Sequence, residues 1–72
     1  MSIPLDTTQR GFRIGIFHDR YGEACSIQES SLAGENCLWL GQHDNRMHLT
    51  QEMAADLIPL LQHFVANGGL PA

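Results

Sequence analysis

Lysine is missing from this sequence, so its fixed positive charge rests on four arginines, Arg10, Arg13, Arg20 and Arg46. Against them stand eight carboxylates, and the formal net charge is −4. A protein that grips duplex nucleic acid presents a basic stripe to the phosphates, and this composition cannot supply one. It leaves room for a small anion site, because one guanidinium fork binds phosphate through two hydrogen bonds. All four arginines precede residue 50, and the charged residues beyond it are Glu52 and Asp56. An anion site is therefore expected on the N-terminal part.

Long apolar runs are also missing. No stretch approaches the roughly 20 residues that span a bilayer, and the opening "MSIPLDTTQR" lacks the basic start and apolar middle of a signal peptide. A cytoplasmic protein without membrane contact is expected. Cysteine is scarce, with only Cys25 and Cys37, and reduced thiols are the expectation for that compartment. The histidines and cysteines form no closely spaced ligand pair of the C-x₂-C kind. There is no Walker pattern and no G-x-G-x-x-G. Neither a metal nor another cofactor is expected, and binding is favoured over catalysis. Cys25, one strand beyond His18, forms with it the candidate nucleophile–base pair for an enzyme.

What the sequence does contain is a set of short alternating segments and one long periodic one. Residues 1–10 read as a flexible or edge-pairing arm, and residues 11–72 as a single small domain. Phe12, Ile14 and Ile16 fall on one strand face, with Arg13, Gly15 and Phe17 on the other. "HDRYGE" is a hairpin loop in which Asp19 bonds its own backbone and Gly22 supplies positive φ. The strand near Glu23–Ser30 puts Cys25 and Ile27 inward, and Ala24, Ser26, Gln28 and Ser30 outward. "CLWLG" is apolar on both sides, which implies cover on both sides and hence self-association. "RMHLT" follows a tight turn, with Met47 and Leu49 inward and Arg46 and His48 outward.

Thr50 caps a helix whose Met53, Leu57, Leu60, Leu61 and Phe64 recur at helical spacing. With Ile58 and Val65 they form a broad stripe, expected to face the sheet. Pro59 stands on the opposite side, where one kinked helix is preferred to two short ones. Asn67-Gly68-Gly69 ends the helix, and Leu70 is expected to fold back as a capping contact. The expected fold is α+β: a small antiparallel meander of about four strands with one C-terminal amphipathic helix packed on one face.

The outer sheet face then collects the candidate ligand-binding residues Arg46, His48, Arg13, Arg20, Ser26, Gln28, Trp39 and Tyr21. Serine and glutamine make a hydrogen-bonding ladder, the arginines and histidine hold an anion, and Trp39 or Tyr21 offers a stacking surface. Arg46 is expected near the helix N-terminus, where free N–H groups also favour an anion. The same residue types suit a protein partner. The bland alternative is a solvated outer face.

"DRYGEACSIQESSLAGENCLWLG" followed by "RMHLTQEMAADLIPLLQHFVANGGL" resembles a family of small phage and prophage proteins of unknown function. The shared features are a D-x-Y-G-x-x-C-S-I-Q-x-S-S stretch, a W-L-G strand and an R-M-H-L-T start to a terminal helix, over about residues 12–70. Members with a longer segment between "WLG" and "RMHL" contrast with the short "QHDN" here. The resemblance implies a phage context in the cytoplasm of a host cell, and there small acidic proteins counter host defences. The expected function is an accessory protein that sequesters a small phosphorylated, nucleotide-type immune signal. The alternative is an inhibitor or structural accessory that contacts a host defence protein and has no small-molecule site. A homo-oligomer is expected in either case.

Overall fold

A computed structural model describes residues 2–72. The elements are β1 (Leu5–Thr7), β2 (Arg13–His18), β3 (Ala24–Glu29), β4 (Cys37–Gln42), β5 (Asn45–Thr50) and α1 (Gln51–Asn67). The strands form one antiparallel sheet in sequence order, so the molecule is an α+β meander with a C-terminal helix. The sheet has five strands where about four were expected. The additional strand, β1, pairs Leu5 with Gly15 and Thr7 with Arg13. "LDT" is too short and too polar to show an alternating pattern of its own.

Local chemistry accounts for the turns. Asp19 accepts backbone N–H groups from Tyr21 at 2.8 Å and Glu23 at 3.0 Å, and Gly22 takes φ 83°. These bonds, that from Glu23 foremost, hold the Asp19 carboxyl below its ordinary value of 3.8. Thr50 Oγ1 accepts from the Met53 N–H at 3.1 Å and starts the helix. Gly68, at φ 79°, ends it with its N–H on the Phe64 carbonyl at 2.8 Å. The helix runs unbroken through Pro59.

Register assigns each side chain to a face. Ile14 pairs with Gln28, Gln28 with Trp39, and Trp39 with His48. Ile16, Ser26, Gly41 and Arg46 form the next row of the same, polar face. The apolar face carries Leu5, Phe17, Cys25, Ile27, Leu38, Leu40, Met47 and Leu49 by the same alternation. Strand β2 is therefore inverted relative to the expectation. Ile14 and Ile16 lie beside the polar residues, while Arg13 and Phe17 share the apolar face. The two sides of "CLWLG" also separate, with Cys37 and Trp39 on the polar face and Leu38 and Leu40 on the apolar one. Gly15 is buried on the apolar face, where a Cβ would come within 2.8 Å of Ile3 and 3.0 Å of Leu5.

The core of a single chain is thin. Among the described residues, the buried side chains are Cys25, Ser26 and Cys37. The helix packs against the sheet through β5, with Ala54, Leu57 and His63 half-buried and no helix residue fully buried. The apolar stripe expected to lie against the sheet is instead largely exposed: Phe64 retains 55% of its accessibility and Val65 85%. Leu70, expected to fold back on the helix end, is 70% exposed. The physical reason is the junction. Thr50 ends β5 and Gln51 begins α1, which leaves no connecting residue to fold the helix back over the sheet.

Candidate functional site on the polar sheet face

Glycine at position 41 makes the site possible. Gly41 stands between Ser26 and Arg46 in its cross-strand row. Without a side chain there, Arg46 reaches across β4 to β3. Its Nη1 donates to Gln28 Oε1 at 2.7 Å and, at the limit of a hydrogen bond, to Ser26 Oγ at 3.5 Å. The guanidinium also lies over the Trp39 ring, 5.3 Å from its centroid. Gly41 has φ 139°, and a Cβ would meet the Arg46 Cα and the Asn45 carbonyl oxygen at 3.3 Å. Conformation and space both favour glycine there.

The neighbouring row completes the arrangement. His48 stacks on Trp39 with ring centroids 4.0 Å apart and planes 15° from parallel. Its Nε2 bonds Ser30 Oγ at 2.9 Å. The polar residues of β3 and the loop after it thus have a definite task. Ser26 and Gln28 position Arg46, and Ser30 positions His48. Ser26 is 2% exposed, and its burial is acceptable because the arginine satisfies its hydroxyl. Both hydrogen-bond partners of Arg46 are neutral.

Five of the residues expected in the site are together: Arg46, His48, Ser26, Gln28 and Trp39. Three are elsewhere. Arg13 lies on the apolar face, its Nη1 bonded to Thr7 Oγ1 at 2.9 Å. Arg20 and Tyr21 lie in the turn beyond His18 and Ala24, and Tyr21 is 88% exposed. Arg46 is also not at the helix N-terminus. It begins its run toward Thr50 four residues earlier, roughly 13 Å away along the strand. The helix start is instead bordered by Glu35, Glu52 and Asp56, which repel an anion.

Arg10 and Phe12 were not anticipated. The Arg10 guanidinium lies 5.7 Å from the Phe12 ring centroid. Both residues border a cleft of about 330 Å³ with Trp39 and Gln28. Arg10 is thus the second arginine near the Trp39 site. The signal that could have found it is the tight Thr8–Phe12 turn, where Gly11 has φ 89° and donates its N–H to the Thr8 carbonyl at 2.9 Å.

Cysteine chemistry fares less well. His18 and Cys25 are on opposite faces of the sheet, so the nucleophile–base pair does not form. Cys25 and Cys37 are free and also on opposite faces. Burial, with a smaller effect from the Glu35 carboxylate, pushes the Cys37 thiol above its ordinary value. Among the described residues, no three histidine, cysteine, aspartate or glutamate side chains gather as a metal site requires, and no helix is long and apolar enough to cross a membrane. No protein-family model, curated protein or solved structure matches the chain.

Proposed function

We propose that the protein acts by binding, and that its polar sheet face takes up a small anion-bearing aromatic ligand of the nucleotide type. The supporting observation is the Arg46 guanidinium, positioned by neutral Gln28 and Ser26 beside the Trp39–His48 stack. Its charge is oriented but not cancelled by those partners. Remaining N–H groups are free for a phosphate oxygen, and the stacked rings give a base a flat apolar surface. Arg10 borders the adjacent cleft together with the Glu29 carboxylate, so the cleft adds no net positive charge and Arg46 carries the anion contact.

In the phage setting suggested by the sequence resemblance, such a protein is an accessory that sequesters a nucleotide immune signal and so blunts host antiviral defence. Its place of action is the host cytoplasm. Capture needs no catalytic group and no cofactor. Thermal-shift measurements with a panel of cyclic and ADP-ribose-type nucleotides provide the test. A clear rise in melting temperature for at least one compound is expected.

A second use of the same face is contact with a host defence protein. The observation favouring it is that Trp39 is already covered by His48 and approached by Arg46, so these side chains form a continuous surface. Tryptophan and arginine are the residue types that dominate protein interfaces. A flat response across the whole nucleotide panel, with binding to a defence protein lost in Arg46→Ala, would decide for this use.

A further inference from the structure

The apolar sheet face, opposite Arg46, has no part in the proposed binding. Leu38, Leu40 and Leu49 are half-exposed there, and Met47 retains 54% of its accessibility. A sheet with an apolar face is stable when a second layer covers it. The chain has such a layer in α1, but its own helix meets the sheet chiefly through β5.

The surface area shows how much cover is missing. A compact protein of 8.0 kDa exposes about 4,400 Å². This chain exposes 5993 Å², an excess of about 1,500 Å² on the same scaling. Its radius of gyration is 13.5 Å, against about 11 Å for a compact chain of this length. Two copies that each buried the excess would share an interface of about 3,000 Å², within the range of obligate homodimers.

We infer that the protein is an exchanged dimer in which the helix of each copy lies across the apolar sheet face of the other. The occupant is a second copy because one chain carries both halves of the missing contact: a sheet face short of a helix and a helix short of a sheet. The dimensions agree. A helix of 17 residues is about 25 Å long, and five strands span roughly 19 Å between the outer two. The stripe of Met53, Leu57, Leu60, Leu61 and Phe64 carries no charge, while Glu52, Asp56 and Pro59 remain on the watered side. The exchange leaves the Arg46 face open on both copies, so it stands or falls independently of the ligand.

Sedimentation equilibrium at micromolar concentration tests this with two variants. Leu61→Glu alters the helix and Met47→Arg alters the sheet; each position is more than half exposed within one chain. Wild type should sediment at about 16 kDa, twice the chain mass, and each variant alone should shift to the monomer. Mixed or co-expressed, the two variants should recover the dimer mass, because one helix–sheet contact is intact in the mixed pair. Co-expression covers the case in which a variant alone does not fold. A wild-type monomer with a native circular dichroism spectrum overturns the inference. So does Met47→Arg at the full dimer mass, which would mean helix packed on helix or strand edge on edge. Failure of the co-expressed pair to recover the dimer overturns it as well.

Discussion

At the scale of single residues, the proposed binding centres on Arg46. A bidentate arginine–phosphate contact contributes about 1.5–3 kcal/mol, roughly ten- to a hundredfold in affinity. Arg46→Ala should lower ligand affinity by about that factor and leave the circular dichroism spectrum unchanged, which calorimetric titration and spectra of the purified variant will check. Gly41→Val is expected to fail differently. The added side chain meets backbone at about 3.3 Å and occupies the path of the guanidinium, so both stability and binding should fall. Cys37 should be a poor nucleophile, because its thiol is held protonated by burial and Glu35. Alkylation of Cys37 at neutral pH, followed by peptide mapping, should run slower than for a free cysteine. Labelling at the free rate would show that β4 opens at its start.

This scale was legible in part. Ser26, Gln28, Arg46 and His48 alternate in their strands with apolar partners, and that pattern puts them on one surface; Trp39 stands in a strand apolar on both sides, and only its register with Gln28 and His48 puts it there. Arg13 and the β2 isoleucines went to the wrong faces. Alternation makes Phe12 the first residue of the strand, yet it precedes β2 and belongs to the turn. Gly15 hides the true period, since it is buried on the apolar face without a side chain to announce it.

At the scale of elements, caps and turns followed the local rules closely. The helix starts at Thr50 and ends at Gly68 for chemical reasons visible in the sequence. Pro59 sits exposed inside it. An internal proline costs a helix about 3 kcal/mol relative to alanine, so Pro59→Ala should raise the melting temperature unless the helix bends there to meet a partner. The β2–β3 turn has its own pH dependence. Asp19 has a folded pKa below 3.8 because its carboxylate accepts backbone N–H groups. Its stabilising effect is thus present above the unfolded value and fades as pH falls through the folded one. Hydrogen-exchange protection of the Tyr21 and Glu23 amides should drop as the solution is taken below about pH 4, and Asp19→Asn should remove that dependence. Protection that ignores both changes would mean the turn is held by Gly22 and strand pairing alone.

At the scale of the whole molecule, one question was beyond the sequence pattern. Periodicity shows that a helix has an apolar side but not which sheet covers it. A connector of even a few residues between β5 and α1 would have let the helix fold back, but the chain has none. The result is a molecule with two working faces. The apolar face is left partly uncovered by the chain's own helix, and the polar face holds an arginine, a tryptophan and a histidine in fixed relation. The two proposals together give function to the sheet and assembly to the helix. Parallel titrations of wild type, Arg46→Ala, Asp56→Ala and His63→Ala with the nucleotide panel test that division most directly. Binding should fall ten- to a hundredfold in Arg46→Ala alone, with the two helix variants matching wild type. Loss of binding in Asp56→Ala or His63→Ala, with Arg46→Ala unaffected, would contradict it and move the functional surface to the helix.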